Sequence, residues 1–447
     1  MNNPIENISS LRQVEDEHAR SRAYTSATWR IIPLLSLIWL MAWVDRANIA
    51  FAKLQMLDDL GFSEAVFGFG AGIFFIGYVL FAMPGTLLLK KLGAKRTISS
   101  IVIGWGTVSL AMTFIHSPVE FYILRILLGI FEAAFYPGVI LYLTYWFPER
   151  IRTRNFGIFQ SFASLSPVVV GLSGAWVFNH TGGLLGLAAW RWMFIVQAIP
   201  TIILGLAAIF VLTDRPSSAR WLSEKQKDLL NEDLKNRVAP TKTSAGTFAL
   251  FTTGAVWLLI AVYFCTLYSN AALVFFMPTI LKLSGFSSYS SIGTASAVIC
   301  IIGALLTVAI SASASRKNSI KLHFVLCSLC ISVSFVSLTF SSHGHPYVTT
   351  ALLALTLGAM GAAISLFWQF PPRILTPATV AVAIGFISSV ANLGGFVSPW
   401  LIGLAKTITG DYSGSFIAVA IVQMIAATLL VTAMAFANRP SNKLKNR

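Results

Sequence analysis

Charge is what this chain has least of. Asp, Glu, Lys and Arg make up only 11% of its 447 residues, while 56% are hydrophobic and the mean hydropathy is +0.75. Soluble proteins carry about 25% charged residues, so the composition excludes a soluble globular enzyme and puts the chain in a membrane. Acids are scarcer than bases, 17 against 32, for a net charge of +15. A nucleic-acid partner would need those positives gathered on one soluble face. They fall instead in short loops between apolar stretches, so no nucleic-acid partner is expected.

Cysteine is also sparse. The four are Cys265, Cys300, Cys327 and Cys330, all inside apolar stretches. Cys327 and Cys330 form a CxxC within HFVLCSLCISVSF, with no second pair to complete a metal site. They read as small buried hydrophobes, and no metal, redox centre or other cofactor is expected. His116, His323, His343 and His345 sit at or near the ends of apolar stretches, and the HGH at 343–345 lacks acidic company. A cleavable signal peptide is not expected either, because residues 1–28 are polar and of mixed charge.

What is present is a series of long apolar runs: 30–55, 64–89, 97–116, 119–145, 155–179, 190–212, 251–282, 287–312, 320–341, 346–369, 377–406 and 413–437. Crossing a bilayer takes about 20 such residues, so the runs read as twelve transmembrane helices. Loop charge alternates. Lys90, Lys91, Lys95 and Arg96 follow the second span, and Arg150, Arg152 and Arg154 the fourth. Arg316, Lys317 and Lys321 follow the eighth, and Arg373 the tenth. The opposite loops hold Asp58, Asp59 and Glu64. The positive-inside rule then places both termini in the cytoplasm.

The longest polar stretch, Asp214 to Thr247, contains SEKQKDLLNEDLKNR, whose periodicity suggests a surface helix. It divides the chain into two sets of six spans, and the sets look like copies. FPERIRT at 147–153 recurs as FPPRILT at 370–376, SPVVVG at 166–171 as SPWLIG at 398–403, and GFS at 61–63 as GFS at 285–287. Repeats at a nearly constant offset and in one topological place indicate two parallel six-helix units, with a binding site at the midplane between them. The expected fold is an all-α membrane protein of two pseudo-symmetric six-helix bundles. Its segments are a cytoplasmic tail (1–29), a first bundle (30–212), a cytoplasmic linker (213–250), a second bundle (251–437) and a cytoplasmic tail (438–447).

Four charges stand where a membrane disfavours them: Asp45 and Arg46 in the first span, Arg125 and Glu132 in the fourth. Each costs about 2.5–3.5 kcal/mol at bilayer depth even on lenient scales. At about 1.5 Å per residue, Arg46 and Arg125 come to similar depth, and Glu132, at i,i+7 from Arg125, shares its face nearer the midplane. Two acids and two bases can neutralise one another, and a structural ion-pair network is one reading. The other is functional: a carboxylate poised between burial and an arginine can load and release a proton. Other polar groups in the spans are Tyr78, Gln160, Asn270, Trp368, Gln369, Ser388 and Asn392, each of which could simply bond helix to helix. Gly68, Gly70, Gly72 and Gly77 read as sites of close helix approach.

At these residues the sequence resembles the anion:cation symporter family of the major facilitator superfamily. The similarity rests on DRANIAFA at 45–52, GIFFIGYVLFAMPGTLLLKKLGAKR at 72–96, RILLGIFEAAFYPGVILYLTYWFPER at 125–150, DRPSSARWLSEKQ at 214–226 and NLGGFVSP at 392–399. The resemblance implies a transporter and not an enzyme, importing a small organic anion by proton symport and rocking of two halves. The anion would be a sugar acid, a tartrate-like dicarboxylate or an aromatic acid. It implies Asp45 and Glu132 as proton carriers and Arg46 as the holder of the substrate carboxylate. Arg125 would pair with Glu132 or with the substrate. Tyr78, Asn392 and Trp368 match positions that line the substrate cavity in the family, and Gln160, Asn270 and Ser388, as polar groups within the spans, are further candidate substrate contacts. Two departures stand out: Lys90 where the superfamily loop has an acid, and Ser388 where the family often has Asn. The expected partners are the anion, protons and the lipid bilayer of a bacterial inner membrane, with the protein a monomer. Export of drugs by proton antiport, or exchange of organic anions, are the competing expectations.

Overall fold

The computed structural model describes residues 4–235, 254–341, 344–375 and 377–437. The end of the linker, the tail at 438–447 and His343 lie outside the described residues, as does the Lys90 side chain. Among the described residues, twelve helices are long and apolar enough to span a membrane. In the first bundle they are α1 (Val14–Leu60), α2 (Glu64–Leu89), α3 (Ala94–Phe114), α4 (Pro118–Trp146), α5 (Glu149–His180) and α6 (Ala189–Val211). The second holds α7 (Gly254–Leu283), α8 (Tyr289–Arg316), α9 (Ile320–Ser341), α10 (Pro346–Ile374), α11 (Ala383–Thr409) and α12 (Ser413–Ala435). No strand occurs among the described residues. Large apolar side chains such as Phe210, Leu305 and Phe340 face outward, as a lipid-facing surface requires.

The repeat seen in the sequence recurs in the packing. In the first bundle α2 and α3 pack on α4, α3 and α1 on α6, and α1 on α5. In the second, α8 and α9 pack on α10, α9 and α7 on α12, and α7 on α11. The bundles meet through α2 with α11, α5 with α8, and α1 with α7. The first two pairings exchange under the internal symmetry.

Glycines set how closely the bundles meet. A Cβ on Gly68 would lie 2.1 Å from the Pro399 carbonyl oxygen, and one on Gly72 would lie 2.5 Å from that of Phe396. Gly403 meets the Glu64 backbone, and Gly171 and Gly293 meet each other across α5 and α8. Gly77 faces the Ile126 carbonyl on α4, while Gly70 faces the Phe121 ring. These close approaches between bundles gather towards the end that carries Asp58, Asp59 and Glu64, called here the acidic end.

Helix ends follow local chemistry. Ser117 and Glu120 form a capping box at the start of α4, with Pro118 in the first turn where its missing N–H costs nothing. Ser63 caps α2, accepting from the Val66 N–H at 3.2 Å. The corresponding cap of α8 is Ser288, one residue past the repeated GFS. Several spans are interrupted, α10 among them at Trp368–Phe370. α4 breaks at Ala134, three residues before Pro137. α5 tightens to a 3₁₀ turn at Phe162–Leu165 ahead of Pro167, where the Ser166 hydroxyl donates to the Ala163 carbonyl that proline leaves without its usual partner. α11 breaks at Asn392, whose side-chain amide donates to the Ser388 carbonyl at 2.7 Å.

From Pro4 onward the N-terminal tail is helical and continuous with α1. It rests on the linker helix Glu224–Lys235, which opens with a Ser223–Gln226 capping box. Asp16 pairs with Lys225 at 2.7 Å, Arg20 with Glu232 at 3.0 Å, and Tyr24 donates to Asp233 at 3.0 Å. The tail's buried stripe is made of small residues, Ala19, Ala23 and Ala27, among these ion pairs.

Candidate functional site

The sequence puts Asp45 and Arg46 side by side on α1, and consecutive helical residues point about 100° apart. The structure uses that divergence. Arg46 turns towards α4 and forms an ion pair with Glu132, its Nε donating to Oε1 at 2.5 Å and Nη2 contacting the same oxygen. Asp45 turns towards α3, where the Ser109 hydroxyl donates to its Oδ1 at 2.9 Å. Among the described residues, the second carboxylate oxygen of Asp45 has no hydrogen-bond partner, and neither has Oε2 of Glu132. Both acids are buried at 1% exposure.

Arg46 lies in an aromatic enclosure. Its guanidinium carbon is 4.9 Å from the Tyr78 ring, 5.0 Å from Trp43, 5.4 Å from Phe74 and 6.0 Å from Trp39. Cation–π contact of this kind compensates part of the lost hydration. The Arg46 side chain keeps 14% of its surface exposed, against 1% for Glu132. Of the four charges it is the one with both a carboxylate partner and a remaining free face.

Arg125 is held differently. Its Nε donates to the Gly70 carbonyl at 3.1 Å and its Nη2 to the Ala71 carbonyl at 3.0 Å, both on α2. Its guanidinium carbon sits 5.1 Å from the Phe74 ring, on which Arg46 also bears. Similar depth for the two arginines is therefore met, but no ion pair joins Arg125 to Glu132 among the described residues. The glycine at 70 matters here, since it brings the α2 backbone close enough for the fork to reach.

The remaining cavity candidates are dispersed. Tyr78 belongs to the Arg46 enclosure. Trp368, in the second bundle, packs edge-on to Tyr263 at 4.9 Å, and Tyr263 stacks on Phe367 at 4.5 Å. Asn392 and Ser388 are tied together in the α11 break. Gln160 is exposed on α5, and Asn270 is half-buried on α7. No described contact joins these four to Arg46. Reasoning from sequence passed over Trp39, Trp43, Tyr136 and Tyr263, which read as ordinary apolar filling. Their signal was spacing, since Trp39, Trp43 and Arg46 fall at helical intervals on one face of α1.

Two six-helix bundles, the first holding the Arg46–Glu132 pair within it, give the architecture of a multi-pass membrane transporter. The Major Facilitator Superfamily pattern matches residues 35–399, and the chain belongs to that family. It is 40% identical over 426 residues to a protein of Agrobacterium vitis named as a candidate tartrate transporter, covering 94% of this chain and 96% of that one. It is 36% identical to NicT of Pseudomonas putida, named for metabolite transport, covering 91% and 93% of the two chains. A quinolone resistance transporter of Acinetobacter baumannii is 35% identical, covering 94% and 96%. In fold it is similar to the crystal structure of a D-xylose–proton symporter, with a TM-score of 0.73 at 16% identity over 90% of this chain and 96% of that one. The inward-facing, occupied structure of a bacterial homologue of the lysosomal transporter Spinster also scores 0.73, at 16% identity over 92% and 97%.

Proposed function

We propose that the chain imports a small organic carboxylate by proton symport across a bacterial inner membrane, with both termini cytoplasmic and the acidic end outside. The observation that carries this reading is the Arg46–Glu132 pair, a buried guanidinium held by a carboxylate that a proton can neutralise. Protonating Glu132 releases the Arg46 fork, which then takes the substrate carboxylate in two charge-assisted hydrogen bonds. The aromatic enclosure keeps that exchange dry, so electrostatic contacts within it are strong. Neutralising the site lowers the cost of occluding it, and the bundles rock inward. Loss of the proton to the cytoplasm restores the Arg46–Glu132 pair and expels the anion.

In this scheme Asp45 is a second proton carrier, one residue from the exchange and held by Ser109 on α3. Arg125, engaged by two α2 carbonyls, supplies fixed positive potential and holds α2 against α4. Tyr78 lines the anion's pocket from the first bundle and Trp368 from the second, with Gln160, Asn270, Ser388 and Asn392 reaching it as the bundles move. The relative named for tartrate transport favours a compact hydroxy-dicarboxylate. The resemblance also supports sugar acids and aromatic acids.

The relative named for quinolone resistance supports a second reading, proton-driven export. A buried arginine in the centre of the site favours anionic cargo in either direction. Exchange of organic anions would use the same pair without net proton movement. Uptake into proteoliposomes from a carboxylate panel, driven by an imposed inward proton gradient, separates the three. Symport predicts accumulation that collapses with a protonophore. Export predicts accumulation only when the gradient is reversed, and exchange predicts uptake only with internal anion.

A further inference from the structure

Seven residues after Arg46, on the same face of α1 and about 10 Å further along, stands a second buried base. Lys53 is 4% exposed. Its Nζ pairs with Glu64 Oε2 on α2 at 2.7 Å and donates to the Tyr412 hydroxyl at 3.0 Å, and that hydroxyl donates to Glu64 Oε1 at 2.6 Å. Lys53 Nζ also lies 4.4 Å from the Phe276 ring and 4.9 Å from Phe67. Lys53, Glu64 and Phe67 belong to the first bundle; Phe276 on α7 and Tyr412 at the start of α12 belong to the second.

We infer that Lys53, Glu64 and Tyr412 form a latch that closes the acidic end of the transporter and must open in each cycle. The inference rests on the alternating-access reading above. The division of charge is what suits it to that task. The whole ion pair lies within one bundle, and the groups that touch it from the other are a neutral phenol and an aromatic ring, with Lys282 and Lys406 further out. Separating the bundles breaks the two Tyr412 hydrogen bonds but leaves Lys53 and Glu64 paired, so opening strands no buried charge. An ion pair spanning the bundles would have to be split each time. Around the latch lie further contacts that open with it. The Ala65 N–H donates to Thr407 at 3.0 Å, Lys282 donates to the Leu54 carbonyl at 3.3 Å, and Gly403 closes on the Glu64 backbone. A lysine serving only the fold of the first bundle would need none of these partners.

The test uses full-length protein in proteoliposomes, with the four cysteines replaced by alanine and nitroxide labels placed at Leu185 and Tyr347. Those positions are 87% and 83% exposed, one in each bundle, near the acidic end. Distances between the labels are measured without substrate in the parent, in Tyr412→Phe, which removes both phenol bonds but keeps the ring, and in Tyr412→Ala. The latch predicts a longer-distance population that rises roughly tenfold in Tyr412→Phe, about what losing a hydrogen bond to a charged group does to an equilibrium, and further in Tyr412→Ala. Distance distributions unchanged in both variants overturn the inference, and so does a lowered melting temperature with no distance change. Uptake is measured separately. Shifted distances with no carboxylate uptake sink the anion reading and leave the latch standing. Proton-driven uptake with unshifted distances does the reverse.

Discussion

Arg46 and Arg125 stand on the same buried ring, their guanidinium carbons 5.4 and 5.1 Å from the centre of Phe74, yet one is bound by a carboxylate and the other by backbone. A carboxylate can be neutralised and withdrawn; a pair of helix carbonyls cannot. The exchangeable arginine is therefore Arg46.

Replacing Arg46 with lysine keeps the charge but loses the planar fork that grips a carboxylate. Substrate affinity is expected to fall by about tenfold or more, seen as a raised KM for uptake, while the melting temperature changes little. Affinity retained in Arg46→Lys would count against direct contact between this side chain and the anion.

Arg125→Met reverses that pattern. It removes two charge-assisted hydrogen bonds, each of about 1.5–3 kcal/mol, between α4 and α2. The expected result is a clear loss of thermal stability in detergent, with a smaller change in KM than Arg46→Lys produces in whatever protein remains folded. A stable variant with abolished binding would instead make Arg125 a substrate ligand.

Glu132→Gln mimics the protonated acid permanently. Concentrative uptake driven by a proton gradient should be lost, while counterflow between equal internal and external anion persists. Intact concentrative uptake would remove Glu132 from the coupling step.

The glycine seam makes a sharper prediction. Gly68→Val puts a side chain into the Pro399 carbonyl, which a Cβ would meet at 2.1 Å, so the acidic end should fail to close and uptake should drop by more than about tenfold. Gly157→Ala, where nothing lies within 4 Å of a new Cβ, should leave transport intact and stabilise its helix by up to about 1 kcal/mol. Equal behaviour of the two variants would mean that the close approach at Gly68 has no part in the cycle.

In the loop between α11 and α12, Asp411 is held below the usual carboxylate range, chiefly by the Ser413 side chain and also by the Ser413 backbone N–H, which it accepts at 3.1 Å. A depressed folded value means stability that is present above the ordinary value, near 4, and lost as pH falls through the lower one. The group is solvent-exposed, so the effect is small, at most about 1 kcal/mol. Asp411→Ala should lower the melting temperature slightly at pH 7, and the gap from the parent should narrow below pH 4.

The spans, the internal repeat and the four buried charges were all legible in the sequence, because each rests on a local signal: a run of apolar residues, a recurring heptapeptide, a charge out of place. Even the shared face of Arg125 and Glu132 followed from spacing, as α4 stays regular up to Ala133. The partners did not follow. Spacing cannot tell whether an arginine meets a carboxylate one helix away or a carbonyl on another, and Arg125 took the carbonyls. Lys53 was passed over because a lysine near the end of an apolar run ordinarily reaches out to the headgroups. Nothing local reveals that Tyr412, 359 positions later, folds over it.

Backbone closes on the facing bundle at Gly68, Gly72, Gly171, Gly293 and Gly403, while the candidate cargo site is made of side chains. Seal and cargo site are thereby separable parts. A change of cargo needs only new side chains around Arg46, with the closing surface untouched, whereas one methyl group on the seam alters how the protein moves whatever it carries. Such a scaffold can be retuned to new solutes without relearning how to close.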